Sequence, residues 1–323
     1  MGARVRWGQC FLVDGDAARR IVEWAGIDGQ PVVEIGPGRG ALTGFLRERA
    51  SSLVLVEIDP ELAASLEEQY RGDPRVRVVQ GDALAVDWRS GLPDGYSVVS
   101  NLPYESGTAI LSSLLARREG LRSIVVMLQR EVVERLAAVP GSKVYGALSV
   151  LVQAVADVER GMVVAPRSFR PRPAVESRMV RLRPLSVPRA PFADHEEFAR
   201  VVHAAFGQRR KMLRNNLGRH VAARFGEDAL VRVLEGAGLR GDVRPEELSV
   251  ADFAALTREV VRLRDAQADE ARPVADVAAN VTAATTRQDA DATTTGDVAA
   301  ATMREEGAAT RAPAAVRKDA GHA

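Results

Sequence analysis

Three stretches place hydrogen-bonding side chains at the ends of apolar runs. "VVEIGPGRG" (Val32–Gly40) sets Gly36, Gly38 and Gly40 directly after a β-rich segment and before a helical one. The spacing is G-x-G-x-G, which differs from the G-x-G-x-x-G fingerprint of dinucleotide sites. Alone, such a loop can be a tight turn. About 20 residues beyond Gly36 a second run ends in "VEID", so Glu57 is placed to bind the two hydroxyls of a ribose. A third run ends in "QGDAL", where Asp82 can accept from an adenine amino group. Acidic side chains are mostly solvated, and either one alone would be read so. Together, at three consecutive run ends, they indicate an adenosine-containing ligand. The loop lacks a basic or long phosphate cradle, which favours S-adenosylmethionine (SAM) over NAD.

A fourth run, "YSVV", leads into "SNLPYESG" (Ser100–Gly107). Asn101, Pro103 and Tyr104 therefore fall beside the reactive end of such a ligand. The segment can be an ordinary Pro-containing turn. It also suits an exocyclic base amine as methyl acceptor. That amine is a poor nucleophile, because its lone pair is delocalised into the ring. The Asn101 oxygen and a backbone carbonyl, of Leu102 or Pro103, can each accept one of its N–H bonds. Pro103 has no N–H and stiffens the turn. Tyr104 can stack on the base, worth roughly 1–3 kcal/mol. The chemistry is orientation and electrostatics, with no obligatory general base. Glu105 has no task in this scheme.

These residues need a frame. "PVVEIG", "SLVLVEID", "RVRVVQGD", "YSVVSN", "SIVVML", "VERGMVVA" and "ESRMVRLRPL" predict seven strands. "ALTGFLRERA", "PELAASLEEQY", "AILSSLLARRE", "QREVVERLAAV" and "ALSVLVQAVA" predict helices between them. Alternation of this kind predicts an α/β fold: a mostly parallel, Rossmann-like sheet with helices on both faces, whose ligands sit at the carboxyl ends of strands. Residues 1–184 form this expected catalytic domain. "LSVPRAPF" is proline-rich and reads as a linker. Residues 185–265 predict a small all-α domain of four helices, with Gly207, Gly226 and Gly238 as stops. Residues 266–323 are rich in Ala, Thr and Asp with almost no large apolar side chain, which predicts a disordered tail.

The bulk composition fits. The chain has 323 residues and is 46% hydrophobic, enough for a substantial core. One cysteine, Cys10, excludes an internal disulfide framework and fits a reducing compartment. No apolar run approaches the ~20 residues that span a bilayer, and "MGARVRWGQC" lacks a signal-peptide core. A cytoplasmic protein without a membrane or metal role is expected. Residues 266–323 carry nine acidic and six basic side chains, leaving residues 1–265 with 38 basic and 34 acidic. This mild positive excess permits a polyanionic partner.

From Gly8 to about Val261 the chain resembles the ribosomal RNA adenine dimethyltransferase superfamily and, within it, the KsgA (RsmA) group. The likeness rests on "GQCFLVD", "EIGPGRGALT", "VEID", "GDAL", "NLPY", "GSKVYGALSVLVQ", "SFRPRPAVES" and "QRRKMLRNNL" in one order. It implies SAM-dependent N6-dimethylation of two adjacent adenines in a hairpin loop near the 3′ end of small-subunit rRNA. The implied partner is a pre-ribosomal particle, and the protein is expected to be a monomer. The resemblance places SAM contacts on Cys10, Leu12, Gly36, Gly38, Glu57, Asp82 and Asn101. It puts the target amine at Asn101, with Pro103 and Tyr104 beside it, and the flipped base on Phe169. Phe169 reads equally well as a core residue at a domain seam. Cys10 stands where the family usually has Asn, which implies somewhat weaker SAM binding. A small buried hydrophobe is the other reading of that cysteine.

Arg170 and Arg172 flank Phe169, and Arg209, Arg210, Lys211 and Arg214 cluster in "QRRKMLR". Such a cluster is commonly a solvated face; in an RNA enzyme it contacts phosphates. Two other functions share much of this pattern: a large-subunit rRNA adenine methyltransferase of the macrolide-resistance type, and an assembly checkpoint factor. "YGALSVLVQ" and "RRKMLRNNL" favour the KsgA group over the first. An NAD-linked oxidoreductase fails on the glycine spacing.

Overall fold

The computed structural model describes residues 10–192, 194–208 and 211–291. Its nine strands are β1 (Phe11–Leu12), β2 (Pro31–Ile35), β3 (Ser52–Glu57), β4 (Val76–Gln80), β5 (Tyr96–Asn101), β6 (Leu121–Gln129), β7 (Ala156–Val164), β8 (Phe169–Arg170) and β9 (Ser177–Pro184). Seven build one sheet in the order β4-β3-β2-β5-β6-β9-β7, and these are the seven predicted strands. The first five run parallel; β9 is antiparallel to both β6 and β7.

Strand residues alternate between two cores. Val32, Leu53, Leu55, Val99 and Val125 pack on one face with α1 (Gly15–Ala25), α2 (Thr43–Arg49) and Leu66 of α3 (Pro60–Gln69). Val33, Val54, Val56, Val98 and Ile124 pack on the other with α4 (Gly107–Ala116), α5 (Arg130–Leu136) and α6 (Ala147–Gln153). Strands covered on both faces must be apolar throughout, which is why they read as continuous runs. The chain steps from β2 outward to β4, then returns to place β5 on the other side of β2. That reversal opens a crevice at the carboxyl ends of β2 and β5.

Residues 185–265 contribute α7 (His195–Ala205), α8 (Leu213–Phe225), α9 (Ala229–Gly236) and the start of α10 (Val250–Asp291). The expected boundary at 184/185 does not separate two bodies. The described residues up to Asp265 form one compact unit, and a single buried cluster runs from Val33 to Val260. The supposed linker is the reason. Its Phe192 is buried and stacks on Phe198 with centroids 4.2 Å apart. The Tyr145 hydroxyl, 3.0 Å from the Leu248 carbonyl, adds a second tie.

Two further expectations need correction. The helix expected over "QRRKMLRNNL" begins later than the sequence suggests: Lys211 and Met212 precede α8, which starts at Leu213. Residues 266–291 continue α10 as helix where composition predicts disorder. Alanine has the best helix propensity, which favours helix in an alanine-rich segment. Residues 292–323 lie outside the described residues. No helix among the described residues is long and apolar enough to cross a membrane.

Candidate active site

The crevice at the β2/β5 reversal holds a cavity of about 270 Å³. The turns after four parallel strands build its walls. After β2, Gly36, Gly38 and Gly40 adopt φ of +68°, +58° and +78°, a region that strongly favours glycine. Gly36 N–H donates to the Val56 carbonyl at 2.8 Å, so the loop stays hydrogen-bonded to β3. A Cβ on Gly38 would lie 3.0 Å from the Phe11 ring. The Arg39 guanidinium covers that ring at 4.9 Å from its centroid.

Glu57 ends β3 with no exposed surface. Its Oε2 accepts from Gly38 N–H at 2.9 Å and its Oε1 from Asp59 N–H at 3.0 Å. The same carboxylate thus fixes the glycine loop and the turn into α3. Asp59 caps α3 and Pro60 takes its first position, a sequence-local reason for the sharp stop after β3. Burial pushes the Glu57 carboxyl up, and the two backbone donors oppose that shift. Glu34, within β2, is more extreme. It is buried, its Oε2 accepts from the Thr43 hydroxyl at 2.7 Å, and burial pushes its carboxyl up to about 8. Asp82 is exposed after β4, and its Oδ1 accepts from Leu84 N–H at 2.9 Å.

Asn101 closes the ring. Its Nδ2 donates to the Cys10 carbonyl at 3.2 Å, which leaves Oδ1 as the acceptor available to a ligand. Ser100 Oγ accepts from Ile35 N–H at 2.8 Å and pins β5 to β2 just before this turn. The Pro103 carbonyl is taken by Gly107 N–H at 2.8 Å, at the start of α4. The Tyr104 hydroxyl lies 2.6 Å from Ser177 Oγ.

Cys10, Leu12, Gly36, Gly38, Glu57, Asp82, Asn101, Pro103 and Tyr104 all line the cavity. Burial raises the Cys10 thiol. Glu105 also lines the cavity, as an exposed side chain. Phe169 does not. It is 1% exposed and packs in the core with Leu12 and Met127. Its place follows from a two-residue antiparallel ribbon, β1 with β8, in which Leu12 pairs with Phe169 and Phe11 with Arg170. Successive residues face opposite ways, so Phe169 turns inward. Arg170, at the end of β8, and Arg172, on the loop that follows, are exposed. Lys211 and Arg214 are exposed and do not line the cavity; Arg209 and Arg210 lie outside the described residues. Among the site residues, nothing in the sequence around Phe11 or Ser177 marks either as part of a site. Thr43 was visible only as the start of a helix.

The donor set can be tested against SAM. Glu34, Glu57, Asp82 and Glu105 line the cavity, and Arg39 is the one basic side chain that does so among the described residues. That balance suits a cationic ligand and leaves no cradle for a pyrophosphate. Ile58 and Leu84 give apolar walls for a flat ring. Fold and cavity together define a SAM-dependent methyltransferase of the Rossmann-like type.

The comparisons with known proteins narrow the class. The chain belongs to the ribosomal RNA adenine dimethylase family, whose profile matches residues 2–258. It is 41% identical over 268 residues to a "Ribosomal RNA small subunit methyltransferase A" of Geobacter metallireducens, covering 81% of this chain and 96% of that one. A protein of the same name from Pseudomonas fluorescens is 40% identical, covering 85% and 97%. Among solved structures, the 23S rRNA methyltransferase ErmE is 27% identical, with a TM-score of 0.58, covering 77% of this chain and 99% of that one. A dimethyladenosine transferase from Plasmodium falciparum matches the fold with a TM-score of 0.67 at 23% identity, covering 78% and 98%.

Proposed function

We propose that this chain dimethylates N6 of two adjacent adenosines in the hairpin loop near the 3′ end of 16S rRNA. It acts as a cytoplasmic monomer on a pre-ribosomal particle. The names and coverage of its relatives support the small-subunit substrate over the large-subunit one. The observation that carries the chemistry is the Asn101 amide. With Nδ2 committed to the Cys10 carbonyl, Oδ1 is oriented as an acceptor at the cavity.

SAM supplies an electrophilic methyl group when bound. Glu57 receives the ribose hydroxyls, Asp82 the adenine amino group, and the open backbone at Gly36 and Gly38 lets the ligand approach. Asn101 Oδ1 and the Leu102 carbonyl each accept one N–H of the target amine. Pro103 cannot compete as a donor, and its own carbonyl is occupied by Gly107. Tyr104 stacks on the base. The target adenine must leave its stack to reach them, and a loop base costs less to extract than a paired one. Arg170, Arg172, Arg209, Arg210, Lys211 and Arg214 hold phosphates.

The test is incubation with labelled SAM and undermethylated small- and large-subunit particles, followed by separation of the two RNAs. Label is expected in 16S RNA at adjacent adenines and lost at least a hundredfold in Asn101→Ala, roughly the cost of removing a transition-state hydrogen-bonding group. Label confined to 23S RNA refutes the substrate. An Asn101→Ala variant with full activity refutes the mechanism.

A further inference from the structure

With Phe169 in the core, the aromatic ring in the turn that follows Asn101 is that of Tyr104, while the Phe11 ring lies against Gly38. Stacking needs only the ring, so a phenylalanine would serve equally if the face alone mattered. The hydroxyl therefore calls for a reason. It lies 2.6 Å from Ser177 Oγ.

Ser177 is the first residue of β9 and has no exposed surface. It is paired on both sides, with Gln129 of β6 and Val164 of β7. Its Oγ is thus attached to a backbone held by a strand on each side. Tyr104 has the opposite setting. It sits in the turn between β5 and α4 and is partly exposed. A ring on such a turn rotates about two side-chain torsions unless its far end is held.

We propose that Ser177 is a positioning residue for methyl transfer: its hydroxyl anchors the Tyr104 phenol and so fixes the ring plane on which the target base stacks. The inference rests on the reading of Tyr104 as the base platform. It deepens that reading by naming what sets the platform's angle.

The pair is not suited to carrying a proton. Tyr104 is the one side-chain hydrogen-bond partner of Ser177 Oγ among the described residues, so the chain of hydroxyls ends inside the sheet. Burial also raises the Tyr104 phenol, which keeps it neutral near pH 7. What remains is orientation. A base held at the wrong tilt presents its amine off the line to the sulfonium methyl, and small errors of that kind are costly in a transfer that relies on alignment.

A double-mutant cycle tests the assignment on the full chain. Tyr104→Phe, Ser177→Ala and the double variant are assayed for initial rates of methyl transfer to undermethylated small subunits. SAM affinity is measured by calorimetry and stability by thermal melting. A hydrogen bond of ordinary net strength predicts that each single change lowers kcat/KM by roughly three- to tenfold. The double variant should fall within about twofold of either single one, with SAM affinity unchanged throughout. Independent, multiplying losses overturn the proposal, as does full activity in Ser177→Ala. A loss in Ser177→Ala that tracks a fallen melting temperature without coupling to Tyr104→Phe assigns Ser177 a structural role and overturns it too. Wild-type protein that labels no 16S RNA overturns the substrate reading and this inference with it. An active wild type with an additive cycle overturns only the inference.

Discussion

Replacing Glu34 with glutamine should alter how stability depends on pH while leaving the fold intact. The side chain is 2% exposed and is offered a single side-chain donor, the Thr43 hydroxyl. Burial dominates and raises the carboxyl to about 8 from a reference of 4.5; Thr43 opposes the shift and the Glu57 charge adds to it. Between those two values the unfolded chain releases a proton that the folded chain retains. The stabilisation from this group is therefore complete below about pH 4.5 and is lost as pH rises through 8. A gap of about 3.5 pH units corresponds to ~5 kcal/mol as an upper figure. Glutamine is neutral at every pH and keeps an oxygen for Thr43. Urea unfolding at intervals from pH 5 to 9, without SAM, should show little difference at pH 5. The variant should gain several kcal/mol over the wild type by pH 8. Parallel stability curves across that range would refute the claim that Glu34 is carried as a neutral acid. The consequence for the site is that Glu34, although it lines the cavity, adds little negative charge there at pH 7.

Other perturbations separate the remaining parts of the site. Gly38→Ala forces a Cβ onto φ +58° and to 3.0 Å from the Phe11 ring. A left-handed residue costs about 1–2 kcal/mol, so calorimetry should show SAM binding weakened by about tenfold or more. Cys10→Asn should tighten SAM binding modestly, because an amide hydrogen-bonds better than a thiol; unchanged affinity would count against it. Arg224→Ala leaves buried Glu197 without its two-pronged partner at 2.5 and 3.0 Å, with Arg200 at 3.1 Å and His220 at 3.9 Å remaining. Loss of one partner of a buried pair predicts about 3 kcal/mol of destabilisation by urea titration. Neutralising Lys211 and Arg214 should flatten the salt dependence of RNA binding by about one unit for each lost contact. An unchanged slope returns both to the role of solvated surface charges.

The legible parts of this protein are those that backbone periodicity dictates. A strand covered on both faces must be apolar, so β2, β3, β5 and β6 stood out as continuous runs, while β4, β7 and β9 mix apolar with charged residues. Ligands gather at strand carboxyl ends, so Glu57, Asp82 and Asn101 could be assigned to one cavity before their distances were known. Helix α1 was also readable in principle: Asp14 caps it, and Ala18, Ile21, Val22 and Ala25 repeat at helical spacing. Pairings between distant short segments were not legible. The β1/β8 ribbon has two residues on each strand, too few to show a period, and its register alone decides that Phe169 faces the core. Serine carries no signal in a strand, and Ser177 meets Tyr104 across 73 residues of sequence. Prolines in "LSVPRAPF" suggested a spacer, while the decisive residue was the buried Phe192.

The least expected residue at the sequence level, Cys10, shows how these two kinds of information meet. Where the family usually has Asn, a thiol looks like a lost contact. The tie to Asn101, however, is made by the Cys10 backbone carbonyl. A carbonyl is supplied by any residue whose chain follows the same path. That path is held by the ribbon of Phe11–Leu12 with Phe169–Arg170 and by Val13 N–H on the Ser168 carbonyl at 2.9 Å. The side chain at position 10 is thereby free to vary without turning the Asn101 amide. Substitution there should act on SAM affinity, while the orientation of the Asn101 amide depends on the ribbon. Disrupting the ribbon should lower turnover more than any change to the thiol.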